Sequence, residues 1–150
     1  MKVYLDNAAT TALDKEVLEA MLPLMVEHYG NPSSIHAFGR QTRAAIEQAR
    51  KTVARLLNCS PAEIFFTSGG TEADNMAIRC SIENLGIKHA ITSAIEHHAV
   101  LHTLEELAAK GIIKLSKVNL IDNGHIDLAH LDELLKTNER SFVSLMHANN

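Results

Sequence analysis

Phe65-Phe66-Thr67-Ser68-Gly69-Gly70-Thr71-Glu72-Ala73-Asp74-Asn75 joins an apolar run to a helical pattern through two glycines. Ile64, Phe65 and Phe66 read as a short buried strand, Glu63 to Thr67. The pattern resumes through Met76, Ala77 and Ile78 at helical spacing. Glycines at such a turn let a ligand approach the backbone with no Cβ in the way. The first N–H groups of the following helix have no intrahelical partner, and the helix dipole adds partial positive charge there. Phosphate is the natural guest. Thr71 with Asp74 three residues on reads as the helix N-cap. No Lys follows the glycines, so this is neither a G-x-G-x-x-G nor a G-x-x-x-x-G-K-[ST] loop. Taken alone, a tight turn with no ligand accounts for it equally well.

Outward from this turn, strand and helix patterns alternate. Upstream, Val3 to Leu5 is a short extended piece and Asp14 to His28 is helical, capped by Asp14 but with Pro23 expected to kink or break it. Tyr29 to Ser34 is a loop, and Gly39 to Leu57 a second helix with one apolar face. Downstream, a helix from Thr71 to Leu85 ends at Gly86, and Lys88 to Ser93 is a strand. His97 to Lys110 is a helix ended by Gly111, and Ile112 to Val118 a strand. Asp122-Asn123-Gly124 is a turn, Asp127 caps a helix to about Thr137, and Ser141 to Met146 is the last strand. This alternation predicts an α/β fold: a mostly parallel sheet flanked by helices. Residues 1–13 form an amino-terminal arm and 14–150 the sheet-bearing domain.

In such sheets ligands bind beyond the carboxyl ends of the strands. Three loops are expected to converge there: the glycine turn, Ser93 to His98, and Met146 to Asn150. They would supply a phosphate site, an imidazole and carboxamides, an inventory suited to a planar, anionic, phosphorylated cofactor such as pyridoxal phosphate. The net charge of −4 with no polybasic stretch argues against nucleic acid or an anionic membrane as partner. The apolar runs are too short for a membrane span, and Asp6 interrupts any signal-peptide core. Cys59 and Cys80 lie in no metal-type spacing and form no disulfide framework, which favours a reducing cytoplasm. Both read as small buried thiols.

The chain resembles the cysteine desulfurases, pyridoxal-phosphate enzymes of the class V aminotransferase group with fold-type-I architecture. The segments that carry the resemblance occur in the family's order. They are Tyr4-Leu5-Asp6-Asn7-Ala8-Ala9-Thr10-Thr11, Gly30-Asn31-Pro32-Ser33-Ser34-x-His36, Phe66 to Asn75, Glu96-His97-x-Ala99-Val100-Leu101 and Met146-His147-x-Asn149-Asn150. The Ser-Gly-Gly-Thr-Glu wording is similar to the iron–sulfur and nitrogen-fixation branch. The resemblance implies that the domain is part of the fold-type-I large domain. Gly70 and Thr71 would hold the cofactor phosphate, and His97 would lie over the ring and move protons. Asn150 would bond the cofactor's phenolic oxygen or the substrate carboxylate. The Asn7 and His36 loops would line the entrance.

The implied reaction converts L-cysteine to L-alanine. Sulfur passes as an enzyme persulfide to scaffold or carrier proteins for iron–sulfur clusters or tRNA thiolation. A cytoplasmic homodimer is also implied. The family's Schiff-base Lys and sulfur-accepting Cys lie downstream of the equivalent of Asn150, so these 150 residues lack both. The chain is therefore expected to be the amino-terminal part of a longer enzyme, inactive alone. The alternatives are a related class V aminotransferase, a selenocysteine lyase, or a non-catalytic binding module. Other candidates have plainer readings. His98 and His102, four apart, suit two solvated helix histidines better than a metal site. His28, His89, His125 and His130 read as surface or loop residues. Lys51, Lys88 and Lys110 read as solvated, and Glu72 and Asp74 as dipole-complementing or capping residues.

Overall fold

A computed structural model describes residues 2–7, 9–137 and 140–148, in two units, Met1–Phe66 and Thr67–Asn150. In the first unit, helix α1 (Lys15–Val26) starts where the Asp14 side chain accepts the Glu16 N–H at 2.8 Å. The expected break at Pro23 does not occur; the helix runs past it to Val26. The Glu27 and His28 amides bond back to the Pro23 carbonyl at 2.9 and 3.0 Å. Helix α2 (Ala37–Leu57) begins two residues before the expected Gly39, because His36 Nδ1 accepts the Gly39 N–H at 3.4 Å and caps it. It ends on Asn58 in the left-handed conformation.

The strand expected at Glu63 to Thr67 is absent. Ser60 and Glu63 form a capping box on a short 3-10 turn, Pro61–Glu63, and residues 64–67 pair with no strand among the described residues. Arg50 takes the Ile64 carbonyl through Nη1, and its guanidinium lies 4.9 Å from the Phe66 ring centroid. Phe65 and Phe66 are exposed, not buried. Apolar sequence alone does not make a strand where no partner edge meets it.

The second unit holds a parallel sheet of three strands, β1 (His89–Ser93), β2 (Lys114–Val118) and β3 (Ser141–Val143), in the order β2-β1-β3. Three helices accompany it: α3 (Gly70–Leu85), α4 (His98–Ala109) and α5 (Leu128–Thr137). β2 and β3 are shorter than expected, starting at Lys114 and ending at Val143. Register puts Ala90 beside Leu115 and Phe142 on one sheet face. There they meet Ile78 and Ile82 of α3 and Val100, Leu104 and Leu107 of α4 in one core. Gly86 and Gly111 close α3 and α4 at φ of 64° and 69°, where a side chain would be strained. Ile87 and Ile113 then turn straight back into that core. Asp127 caps α5, accepting from Ala129 and His130 amides.

Three smaller expectations are corrected. His89 is buried in β1, its Nδ1 2.8 Å from Ser141 Oγ and its Nε2 2.8 Å from Ser116 Oγ. Burial, and then the Lys114 charge, hold its pKa below the usual histidine value. His130 Nδ1 accepts the Asn119 N–H at 2.9 Å, so it has a structural bond as well. Cys80 is exposed on α3 and Cys59 half-buried.

Candidate functional site

Helices α3 and α4 run parallel on one sheet face. Asn75 of α3 donates to the Ala99 carbonyl of α4 at 3.4 Å and accepts from the Thr103 hydroxyl at 2.8 Å. One turn further along both helices, Arg79 meets Glu106 at 2.6 Å. α4 starts directly after the carboxyl end of β1, so both amino termini lie at the sheet's carboxyl edge. Asn75 also donates to the Thr71 carbonyl at 2.9 Å, which fixes the first turn of α3 against the first turn of α4. Two helix ends of positive partial charge thus stand side by side.

The N-cap of α3 is Gly69, not Thr71; Thr71 is in the first helical turn. No side chain caps this end, and its first backbone bond is Ala73 N–H to the Gly69 carbonyl at 3.1 Å. Glu72 accepts from the Ser68 N–H and hydroxyl, both at 2.7 Å, which folds the loop back on the helix. The Ser68 hydroxyl, then the Ser68 amide, hold the Glu72 carboxyl below its usual range. Glu72 is therefore occupied in shaping the loop, as a capping residue would be.

A Cβ added at Gly69 or at Gly70 would meet nothing within 4 Å. Gly69 has an extended backbone (φ 169°), and Gly70 does not have the left-handed φ that favours glycine. Among the described residues neither backbone conformation nor packing demands glycine at these two positions. An uncapped helix end with open space over its amides fits a tetrahedral oxyanion, such as the phosphate of a cofactor.

His97 is the N-cap of α4, its Nδ1 accepting the Ala99 N–H at 3.1 Å, while the residue stays exposed. With Nδ1 accepting, the neutral ring carries its proton on Nε2. Asn150 lies outside the described residues. Asn7 and His36 belong to the first unit. Asn7 donates to the Tyr4 carbonyl at 3.5 Å, and His36 caps α2. His98 and His102 are exposed with ring centroids 4.8 Å apart. Lys110 pairs with Glu106 on the helix surface.

Sequence reasoning assigned no role to Glu96, Asn75 or Thr103. Glu96 is buried at 7% exposure, and its carboxylate accepts the Met146 N–H from the loop after β3. Burial foremost, and Asp74 as well, raise its pKa; the Met146 amide and His97 oppose them. A cavity of about 700 Å3 opens beside this bond, lined by Ile95, Ile126, Met146 and His147 among others. Gly70 and Thr71 do not line it, so it is distinct from the turn that opens α3. Both Asn75 and Glu96 stand in quoted motifs, but contacts 28 and 50 residues away leave no local signal.

The class V aminotransferase model matches residues 3–150. Over 99% of its length the chain is 48% identical to the cysteine desulfurase IscS of Dictyoglomus turgidum, and it spans 38% of that relative. It is 45% identical to the cysteine desulfurase IscS of Neisseria meningitidis, spanning 37% of that protein. A NifS-like protein of known structure superposes with a TM-score of 0.90 at 42% identity, over 99% of this chain and 41% of its own. The structure of SspA in complex with cysteine gives 0.82 at 34% identity, over 95% and 41%. The chain spans about two fifths of the relatives it matches, and it belongs to the class V aminotransferase family.

Proposed function

We propose that this chain forms the phosphate-binding edge of a pyridoxal-phosphate-dependent cysteine desulfurase. That enzyme would convert L-cysteine to L-alanine. The sulfur would leave as an enzyme persulfide for acceptor proteins of iron–sulfur cluster assembly or tRNA thiolation. One observation carries the reading: the uncapped start of α3, with open space at Gly69 and Gly70, stands beside the start of α4, which His97 caps. Relatives carrying the cysteine desulfurase name across 99% of this chain support the choice of reaction.

In this reading the amides of Gly70 and Thr71 and the Thr71 hydroxyl hold the phosphate, whose charge the two helix ends offset. His97 presents its ring to the cofactor, with the Nε2 proton available for transfer to or from the substrate. Asn150 bonds the cofactor's phenolic oxygen or the substrate carboxylate. When bound, the pyridine ring supplies an electron sink for the substrate carbon. The protein would act as a cytoplasmic homodimer. No helix among the described residues is long and apolar enough to cross a membrane.

The test is the complete protein supplied with pyridoxal phosphate and L-cysteine, with L-alanine and sulfide measured. Alanine formed in step with sulfide under a thiol reductant is the expected result. Alanine from selenocysteine alone, or transamination without sulfide, would replace this reading with one of its class V relatives.

A further inference from the structure

Of the four residues between β1 and α4, the last two, Glu96 and His97, are each tied to a different element. His97 is bonded forward, to the Ala99 amide of its own helix. Glu96 is bonded across the sheet edge, its carboxylate accepting the Met146 N–H. Met146 lies just past β3, two residues beyond Ser144, whose amide still bonds to β1 at the Ile91 carbonyl, 3.0 Å. Beyond that point the Glu96 carboxylate joins the two loops.

An acid is a costly choice here. Glu96 is 7% exposed, outside the apolar core, with Asp74 of α3 repelling its charge. An apolar residue of similar size would avoid that cost but leave the Met146 amide without its acceptor. Charged groups kept against desolvation cluster where geometry has to be held for function.

We propose that Glu96 is the positioning residue for His97: by holding the Met146 amide it locks the loop after β1 to the loop after β3 and fixes where the imidazole stands at the start of α4. This rests on the desulfurase reading for its kinetic consequence only. The lock itself is a property of the fold.

The variants are Glu96→Gln, which keeps an acceptor oxygen without charge, and Glu96→Leu, which keeps the volume without an acceptor. In the complete protein without cofactor, Glu96→Leu should speed hydrogen exchange of the Met146 amide roughly tenfold and shift the His97 ring nitrogens, while Glu96→Gln leaves both near wild type. With pyridoxal phosphate and L-cysteine, Glu96→Leu should lower kcat roughly 10- to 100-fold with KM within about threefold, and Glu96→Gln should recover most of it. Unchanged Met146 exchange and His97 shifts in Glu96→Leu overturn the proposal. So does a Glu96→Leu protein that does not fold, since Glu96 would then support the fold and not the imidazole. If the wild type forms no alanine while the exchange and ring shifts behave as stated, the desulfurase reading fails and the lock stands.

Discussion

Two pairs of glycines teach opposite lessons. At Gly30 and Gly39 an added Cβ would fall 2.6 Å from Phe38 backbone atoms and 2.5 Å from the Ser34 carbonyl oxygen. These glycines let the loop before α2 lie directly on the helix it enters. At Gly69 and Gly70 an added Cβ meets nothing. The first pair is explained by the protein's own atoms and needs no ligand. The second is explained by nothing among the described residues, and it stands at two helix amino termini, where an anion is favoured.

The contrast can be broken most strongly from the packed side. Gly39→Ala should destabilise its unit by about 1–3 kcal/mol in chemical denaturation, because backbone oxygens on two sides cannot move aside cheaply. Were Gly39→Ala harmless, contact distances at glycines would carry no argument here, and the open pair would lose its meaning too.

Acid should separate the two regions next. The fold holds His89 neutral between two serine hydroxyls, with its pKa depressed. Its contribution is complete above the usual histidine pKa and is lost as pH falls toward the depressed value. Urea titrations at successive pH values should show the sheet-bearing unit weakening across that window. His89→Gln should flatten the slope while costing about 1–2 kcal/mol at neutral pH. An unchanged slope in that variant would show that His89 is not the titrating group.

On the open side, Gly70→Ala should keep or raise stability, by up to about 1 kcal/mol, since alanine suits a helix start better than glycine. The same variant should bind pyridoxal phosphate roughly tenfold more weakly, because the new methyl group fills space meant for a phosphate oxygen. Full affinity in Gly70→Ala would mean that the open space is solvent and nothing more. The smallest effect is expected at Glu72→Gln, which leaves Ser68 an acceptor. The stability that the Glu72 charge adds in the wild type, complete above the usual carboxylate range and lost as pH falls through the lowered value, should be missing from the variant.

Much of this was legible in the sequence because it rests on local chemistry. Asp14 and Asp127 announced their caps, Gly86 and Gly111 their helix ends, and period-3.6 and strand patterns the parallel β-α alternation. The glycine start of α3 was legible for the same reason, and the anion there is the proposal. What failed depended on partners distant along the chain. Ile64 to Phe66 had strand composition but no edge to join, and Arg50 took the Ile64 carbonyl instead. His89 looked solitary because Ser116 and Ser141 reach it only through strand register. Glu96 was passed over because its bond to Met146 spans 50 residues. The imidazole of His97 is seen as the cap of α4, and its place over a cofactor is the proposal.

The central claim is that the paired starts of α3 and α4 hold a phosphate. Its most direct test is the affinity of the cofactor-free complete protein for pyridoxal 5'-phosphate against pyridoxal, by fluorescence titration at fixed ionic strength. The account predicts that the phosphate tightens binding by roughly 100-fold or more and that Thr71→Val removes part of that gain. Equal affinity for the two compounds would contradict it.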